Sequence, residues 1–343
     1  MTDIVELFTD AISSVHTFIT QLSGKRSWIA EAKTFWPAGG GHNIVLKEDL
    51  GLELGSLGVG VKQVVVVLGL VFAVTLAVIL GWHVRNLLRE AFPDVVFHAE
   101  RPVLRTAPAP LFLLSRLVRE AGFKVVLTGE GSDEMLGGYD IYKEAAIRAF
   151  WARNPRSRLR AQLLTRIYPW LSAQSTGGRA AWKMVFVQGL EQTNLPWYSH
   201  YIRWRNTARI GEFLSADVRA ALQGYDPIEE YVAGLPPGFH EWPLLHKAQL
   251  LEIETFLSPY LLSSQGDRMG MANSIEGRFP FLDYRVMEMS ARLRPELKLY
   301  GLTEKYLLKQ AFGDELPAAI VRRPKQPYRA PIGKSFFADP QSA

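Results

Sequence analysis

The residues best suited to chemistry lie in the segment KVVLTGEGSDEMLGGY, which covers residues 124–139. A short apolar run there breaks into glycines, hydroxyls and three carboxylates. Gly129 and Gly131 would let backbone N–H groups approach a phosphate, and Asp133 is a hard oxygen ligand suited to a phosphate-bound Mg²⁺ ion. Two hydroxyl groups are added by Thr128 and Ser132. The pattern indicates a nucleotide-binding loop, although a plain polar turn before a helix has a similar composition.

A strand must position this loop. The run Val125, Val126 and Leu127 is too short for a helix, and its composition predicts a strand buried on both faces, as in a parallel sheet beneath helices. Ligands of open α/β sheets bind beyond the carboxyl ends of the strands. We therefore expect residues 128–134 to lie where a nucleotide would bind.

A second segment, QGDRMGMANSIEGRFPFLD at residues 265–283, follows a stretch with apolar residues at helical spacing. Together the two segments resemble the synthetase domain of glutamine-hydrolysing asparagine synthetases, in which a GEGSDE loop precedes GGY and a later block ends in PFLD. The resemblance continues downstream through RRPKQPYRAP at residues 322–331. It covers about residues 85 to 335 with the motifs in family order, which a chance match would rarely achieve.

The resemblance implies an α/β fold with a parallel sheet flanked by helices and a large helical portion. This is the ATP-pyrophosphatase-like, or adenine nucleotide alpha hydrolase-like, class. We predict an undetermined lead over residues 1–60, an apolar segment over 61–84 and an asparagine-synthetase-like domain over 85–335. Within that domain, residues 85–140 would supply the sheet and the ATP site, and residues 141–321 would be mostly helical.

The same resemblance implies a ligase that uses ATP and Mg²⁺. A carboxylate of aspartate, or of a related acceptor, attacks the α-phosphate of ATP to give an acyl adenylate and pyrophosphate, and ammonia then displaces AMP. The family glutamate linked to the ammonia step matches Glu130, and the lysine that stabilises the adenylate-forming transition state matches Lys325. Asp133 matches an aspartate that contacts Mg²⁺ and pyrophosphate, whereas Thr128 and Gly129 match positions lining the ATP site.

Cysteine is absent from all 343 residues. This excludes disulfides, thiolate zinc sites and a cysteine nucleophile from the chain. The complete family enzyme releases ammonia from glutamine with an amino-terminal cysteine in a separate glutaminase domain, of which no part is visible here. We therefore expect ammonia to come from solution or from a separate glutaminase subunit.

The family's SGGxDS loop, whose glycine N–H groups hold pyrophosphate, is also missing. The nearest string, LSGKR at residues 22–26, lacks the second glycine and the aspartate. A GGGH string at residues 39–42 lacks the Lys-Ser/Thr of a Walker loop and predicts a plain turn. The alternative to an enzyme is therefore a non-catalytic remnant of the family, truncated or tethered to a membrane.

Residues 64–82, VVVVLGLVFAVTLAVILGW, carry no charge. A run of about 20 apolar residues can cross a bilayer, which favours a single membrane-spanning helix with the synthetase-like body in the cytoplasm. Two consecutive buried strands are the competing interpretation, but a parallel pair needs a crossover that the run does not contain. A gene disrupted upstream of about residue 85 is a further alternative, in which residues 1–84 would not be a selected sequence.

The net charge of +5 does not indicate a nucleic-acid partner. Basic residues are densest over residues 153–166, where interleaved leucines favour the solvent-facing side of amphipathic helices. The seven histidines show no metal-ligand spacing. We therefore expect neither nucleic acid nor zinc to bind.

Overall fold

The computed structural model describes residues 83–103, 105–171, 176–323 and 325. The described residues from Arg85 onward belong to one compact unit. Within these ranges, no helix is both long and apolar enough to cross a membrane. Several predicted features lie outside the described residues: the undetermined lead, the apolar run and the two glycine-containing strings. The predicted domain boundaries stay predictions.

Helices joined by short loops make up most of the described chain. Before the last strand the α-helices are α1 (residues 83–99), α2 (Pro108–Glu120), α3 (Ser132–Leu136), α4 (Asp140–Ala152), α5 (Arg158–Gln162), α6 (Leu164–Ile167), α7 (Thr176–Phe186), α8 (Tyr201–Ala208), α9 (Ala216–Ala221), α10 (Pro227–Ala233), α11 (Leu244–Glu252) and α12 (Arg268–Ala272). After it come α13 (Tyr284–Arg292), α14 (Pro295–Lys298), α15 (Tyr306–Ala311) and α16 (Ala318–Val321). The strands are β1 (Val125–Leu127) and β2 (Glu276–Arg278). Short 3₁₀ turns cover Pro169–Leu171, Tyr198–His200, Arg209–Phe213, Phe239–Glu241 and Pro280–Leu282.

The two strands pair in parallel, with Val125 opposite Glu276 and Leu127 opposite Arg278. This pairing joins the two sequence segments that carry the family resemblance. The strand prediction is confirmed, but the prediction that β1 is buried on both faces is wrong, because Val125 is 46% exposed and Leu127 is 77% exposed. Within the described ranges β1 pairs with a single strand, so only one of its two edges is hydrogen-bonded to a neighbouring strand.

A π-helix over Ile253–Asp267 continues directly from α11. Its interior contains Pro259, which has no N–H to donate to an α-helical hydrogen bond. A π-helix has a wider turn than an α-helix and is frequent at functional sites. Here it presents Phe256, Tyr260 and Leu261 to a large cavity.

Packing of the helices forms the core. One cluster of buried side chains joins α1, α2 and α12, and a second joins α4, α6 and α7 around the fully buried Trp151. A third cluster fastens α11 to α4. The result is a helix-rich body with a small parallel sheet, which is compatible with the predicted α/β class with a large helical portion.

Candidate active site

The loop after β1 turns sharply into α3 at Gly131. Its φ of +85° lies in the left-handed region that side-chain-bearing residues rarely adopt, and an added Cβ would overlap the side chain of Leu282. At Gly138, which follows α3, an added Cβ would overlap the carboxylate of Asp133 and lie 2.5 Å from Cε of Lys305. Glycine at these two positions therefore lets the loop fold closely around its own charged groups.

Asp133 lies between two lysines. Lys325 Nζ lies 2.8 Å from Oδ2, and Lys305 Nζ lies 3.0 Å from Oδ1. The structure thus brings Asp133 together with Lys325, which is 192 positions away in the chain. These three groups carry a net charge of +1, which the neighbouring Glu130 offsets when it is ionised.

Sequence reasoning missed Lys305 as a site residue. Its Nζ also donates to Oγ of Ser132 at 2.9 Å, so that it contacts two neighbouring side chains of the predicted loop. Its backbone has a φ of +50°, a left-handed conformation that costs a non-glycine residue roughly 1–2 kcal/mol. The only signal in the sequence was its place in TEKYLL, inside the region of family resemblance.

Glu304 helps to hold in place the two lysines that contact Asp133, namely Lys305 and Lys325. Its buried carboxylate accepts hydrogen bonds from Lys143 at 2.8 Å and Lys309 at 2.9 Å. It also accepts from the backbone N–H of Lys325 at 3.2 Å, and it precedes Lys305 in the chain. Burial alone would raise the pKa of Glu304, but the hydrogen bonds from the lysines hold this pKa at about 2. The residue is therefore a permanently charged anchor, which no local sequence pattern indicated.

Glu130, the predicted partner of the ammonia step, is half-buried beside this cluster. Burial raises its pKa, and the nearby Asp133 raises it further, while Lys325 and Lys305 lower it in part. Its backbone N–H donates to the hydroxyl of Thr128 at 3.5 Å. A carboxylate whose pKa is raised in this way accepts a proton more readily than an exposed one does.

Glu134, one residue after Asp133, is 1% exposed and has no cationic partner within ion-pair distance in the described ranges. It accepts a hydrogen bond from the hydroxyl of Tyr139 at 2.9 Å. Burial is the main cause that raises the pKa of Glu134 to about 7. The ring of Tyr139 in turn faces Lys325, with 5.3 Å from Nζ to the ring centroid.

A series of hydrogen bonds between buried polar side chains holds helix α3 in place. Gln249 donates to the carbonyl of Met135 at 3.0 Å and accepts from Lys298 Nζ at 3.0 Å. Burial lowers the pKa of Lys298 to about 8. These contacts satisfy carbonyl groups at the C-terminal end of the short helix that carries Asp133 and Glu134.

A cavity of about 1040 Å³ opens beside the loop. Its lining includes four of the predicted site residues, Gly129, Glu130, Asp133 and Lys325. Three others do not line it, namely Thr128, Gly131 and Ser132. The sequence-based selection therefore contains residues that face the cavity and residues that shape the loop behind it.

A second set of polar residues lies in and behind the lining of the same cavity. Arg203 Nη1 donates to both carboxylate oxygens of Glu252, at 2.9 and 2.6 Å. Glu252 also accepts from His200 Nε2 at 2.8 Å, and His200 Nδ1 then accepts from the hydroxyl of Ser199 at 2.9 Å. Burial lowers the pKa of His200, whereas hydrogen bonds from His200 and Arg203 outweigh burial and lower the pKa of Glu252. Sequence reasoning did not identify this group.

The described residues offer a metal ion only a small set of ligands. They contain no group of three or more His, Cys, Asp or Glu side chains that could hold one. A magnesium–nucleotide complex needs only one or two protein carboxylates, because the phosphates and water supply the remaining ligands. Asp133 fits that requirement, although lysines contact both of its oxygens.

Comparison with known proteins agrees with the two motifs joined by the sheet. The family model described as asparagine synthase matches residues 82–343. A Mycobacterium tuberculosis protein named as a glutamine-hydrolyzing asparagine synthetase is 31% identical over 247 residues, which is 71% of this chain and 35% of that protein. Asparagine synthetase [glutamine-hydrolyzing] 1 of Bacillus subtilis is 30% identical over 243 residues, or 70% of this chain and 36% of that enzyme.

Relatives with another name are also similar. The amidase chyE of Penicillium rubens is 28% identical over 269 residues, which is 71% of this chain and 38% of the amidase. No solved structure matches. The chain spans roughly a third of the length of the curated relatives it matches. Because the family model matches well over half of the residues, the chain belongs to the asparagine synthase family.

Proposed function

We propose that this chain is a carbon–nitrogen ligase that amidates a carboxylate with ammonia at the expense of ATP, through an acyl-adenylate intermediate. The observation that carries the proposal is the contact between Lys325 and Asp133 at the end of β1, beside Glu130. These three residues match the family's motif positions, and the fold brings them to one cavity. We extend the proposal to an ATP-pyrophosphatase-like fold.

The first step requires charge stabilisation on the phosphates. Attack of the acceptor carboxylate on the α-phosphate of ATP forms the C–O–P bond of the adenylate and breaks the bond to pyrophosphate. Lys325 and Lys305 would bind the phosphate oxygens as negative charge develops, because their ammonium groups exceed the charge of Asp133 by one. A Mg²⁺ ion bound with the nucleotide through Asp133 would neutralise part of the charge on the leaving pyrophosphate.

The second step requires a proton acceptor. Ammonia attacks the acyl carbon, AMP leaves with the C–O bonding electrons, and the nitrogen must lose a proton to become the amide. Glu130 is suited to take that proton, because burial raises its pKa and so makes its carboxylate a stronger base than an exposed glutamate. We therefore assign Lys325 to adenylate formation and Glu130 to the ammonia step.

The substrates of the proposal are aspartate, or a related carboxylate, and ammonia. Some relatives are named as glutamine-hydrolyzing asparagine synthetases and another as an amidase, so the proposal keeps both aspartate and related carboxylates as acceptors. For this cysteine-free chain we propose ammonia from solution or from a separate glutaminase subunit. Its location in the cytoplasm and its attachment to a membrane through residues 64–82 stay predictions.

The test measures pyrophosphate and amide product separately, with the full chain, ATP, Mg²⁺, aspartate or related carboxylates, and ammonia. We expect carboxylate-dependent pyrophosphate release and amide formation by the parent chain. Glu130→Ala should keep a first-turnover release of pyrophosphate and lose amide formation, whereas Glu120→Ala, an exposed glutamate on α2, should match the parent. Absence of carboxylate-dependent release in the parent chain would favour the non-catalytic remnant instead.

A further inference from the structure

The cavity continues beyond the residues used in the proposed reaction. Besides Glu130 and Lys325, its lining includes residues of the π-helix, α7 and α8, which are called the helical wall here. Apolar and aromatic side chains dominate this wall: Val185, Phe186, Ile202, Phe256, Tyr260 and Leu261. Ligand pockets for drug-sized molecules run from about 300 to 1,000 Å³, so a cavity of about 1040 Å³ can hold a large ligand, and the proposed nucleotide would occupy part of it.

One guanidinium group of this wall is oriented by the protein and still has donors to offer. Arg203 contacts Glu252 only through Nη1, and its side chain is 40% exposed on the cavity side of α8. Its Nε and Nη2 have no hydrogen-bond acceptor in the part of the chain that the structure describes. A guanidinium presents its five N–H groups in a rigid fork that matches a carboxylate.

Glu252 is itself fixed from behind. It is 1% exposed and accepts from His200, which is fully buried and bonded on its other nitrogen to Ser199. The chain of contacts therefore holds the carboxylate, and the carboxylate holds Arg203 against the ring of Phe256, with 5.6 Å from Cζ to the ring centroid. Preorganisation of this kind is how an arginine is held ready for a ligand.

A second guanidinium group lies beside Arg203 in the cavity lining. Glu252 compensates Arg203, but Arg105 lies over the same Phe256 ring at 5.8 Å and has no carboxylate within ion-pair distance in the described ranges. Two guanidinium groups therefore flank one aromatic ring, and Arg105 is free to pair with an anion there.

We infer that Arg203 recognises the acceptor through a second carboxylate, and that the acceptor carries an apolar or aromatic body that packs against Phe256, Tyr260 and Phe186. This inference rests on the proposed function and adds the class of acceptor to it. The class is a dicarboxylate larger than aspartate, with one carboxylate at Arg203 and the other beside Glu130 and Lys325. Arg203 is the specificity-determining residue, and Glu252 is its positioning residue.

The test compares the binding of aspartate and N-benzoyl-aspartate to the full chain by calorimetry, without ATP or ammonia. We expect N-benzoyl-aspartate to bind at least roughly tenfold more tightly, because its ring adds apolar contact. Arg203→Gln should weaken its binding by roughly 10- to 100-fold, as expected for loss of a charge-assisted contact. Arg205→Gln removes the same charge from another position on α8, and this variant should bind as the parent does.

Two further variants separate recognition from folding. Arg203→Lys keeps the charge but lacks the fork, so it should restore little of the affinity. Glu252→Gln should raise the KM for the benzoyl acceptor more than it lowers kcat, because Arg203 remains present but loses its fixed orientation. Circular dichroism would show that each variant remains folded.

Equal affinity for the two ligands, or no binding of either by the parent chain, would overturn the acceptor class. Unchanged affinity in Arg203→Gln would overturn the role of Arg203. A chain that binds N-benzoyl-aspartate as expected but never releases pyrophosphate contradicts only the proposed reaction. A chain that releases pyrophosphate with aspartate and shows no preference for the larger ligand contradicts only this inference.

Discussion

Two groups of charged residues line the cavity, one at the end of β1 and one around Arg203, and they hold charge in different ways. At the β1 end, the single carboxylate of Asp133 is shared by two lysines, and the neighbouring buried Glu134 has no cation within ion-pair distance among the described residues. At the other end, the buried Glu252 holds one planar guanidinium through both carboxylate oxygens. Point charges on flexible stems can exchange partners as phosphates arrive and leave, whereas a fixed fork suits recognition of one shape. The difference separates the reacting end from the recognising end.

Loss of Lys325 should have the largest effect on this comparison. Lys325→Met removes one of the two ammonium groups at Asp133, and loss of one such charge from a reaction site typically costs about 10²–10³ in rate. We expect that fall in carboxylate-dependent exchange of pyrophosphate into ATP. Acceptor binding measured without nucleotide should fall by a smaller factor, because Arg203 still binds the other carboxylate of the acceptor.

Lys124→Met is the matched control, because Lys124 is an exposed lysine just before β1 and its loss changes the net charge equally. It should exchange pyrophosphate at the parent rate. If Lys325→Met instead weakened acceptor binding and left exchange intact, the assignment of the two ends would be reversed.

The two buried glutamates allow a test by pH. The folded pKa of Glu134 is raised from 4.5 to about 7, so its contribution to stability is present below pH 4.5 and is lost as pH rises through 7. Glu134→Gln removes this loss and should gain up to about 3 kcal/mol over the parent between pH 4.5 and pH 8. Denaturant unfolding at both pH values would measure it.

Glu252 should behave with the opposite sign. Its folded pKa is lowered, because hydrogen bonds from His200 and Arg203 outweigh burial, so its contribution is present above pH 4.5 and is lost at lower pH. Glu252→Gln should therefore be destabilised at pH 8 and should approach the parent as the solution becomes acidic. Parallel pH profiles for the two variants would show that the ends do not differ electrostatically.

The sequence predicted the β1 end far better than the other. The strand at Val125, the loop with Asp133 and the selection of Lys325 all rest on short motifs, where residue type and order carry the signal, and the catalytic role of Lys325 stays a prediction. The pairing of β1 with β2 was not predicted, because the order of the motifs does not show which segments lie side by side. The burial of β1 was mispredicted, because an apolar run indicates a strand but not how many neighbours cover it.

The remaining contacts arise from packing of distant helices. Arg203 and Glu252 are 49 positions apart, and neither stands in a recognisable motif. Glu304 likewise acquires its role only when Lys143 and Lys325 approach it from separate elements. No periodicity or spacing in one sequence encodes such contacts, because they depend on tertiary geometry and not on local propensity.

The smallest effect concerns the backbone of Lys305, and it tests whether the β1 end is strained to place its second lysine. Lys305→Ala and Lys305→Gly both remove the contacts with Asp133 and Ser132, but only glycine adopts a φ of +50° without cost. Lys305→Gly should therefore unfold with a free energy about 1 kcal/mol higher than Lys305→Ala. The same pair of substitutions at Lys309, inside α15, should show the reverse order, because glycine weakens an ordinary helix by about 1 kcal/mol relative to alanine.

Equal stability of Lys305→Gly and Lys305→Ala would mean that the left-handed backbone costs nothing there. A stability gain in Lys305→Gly together with slower pyrophosphate exchange would show that the chain accepts backbone strain in order to keep two cations at Asp133.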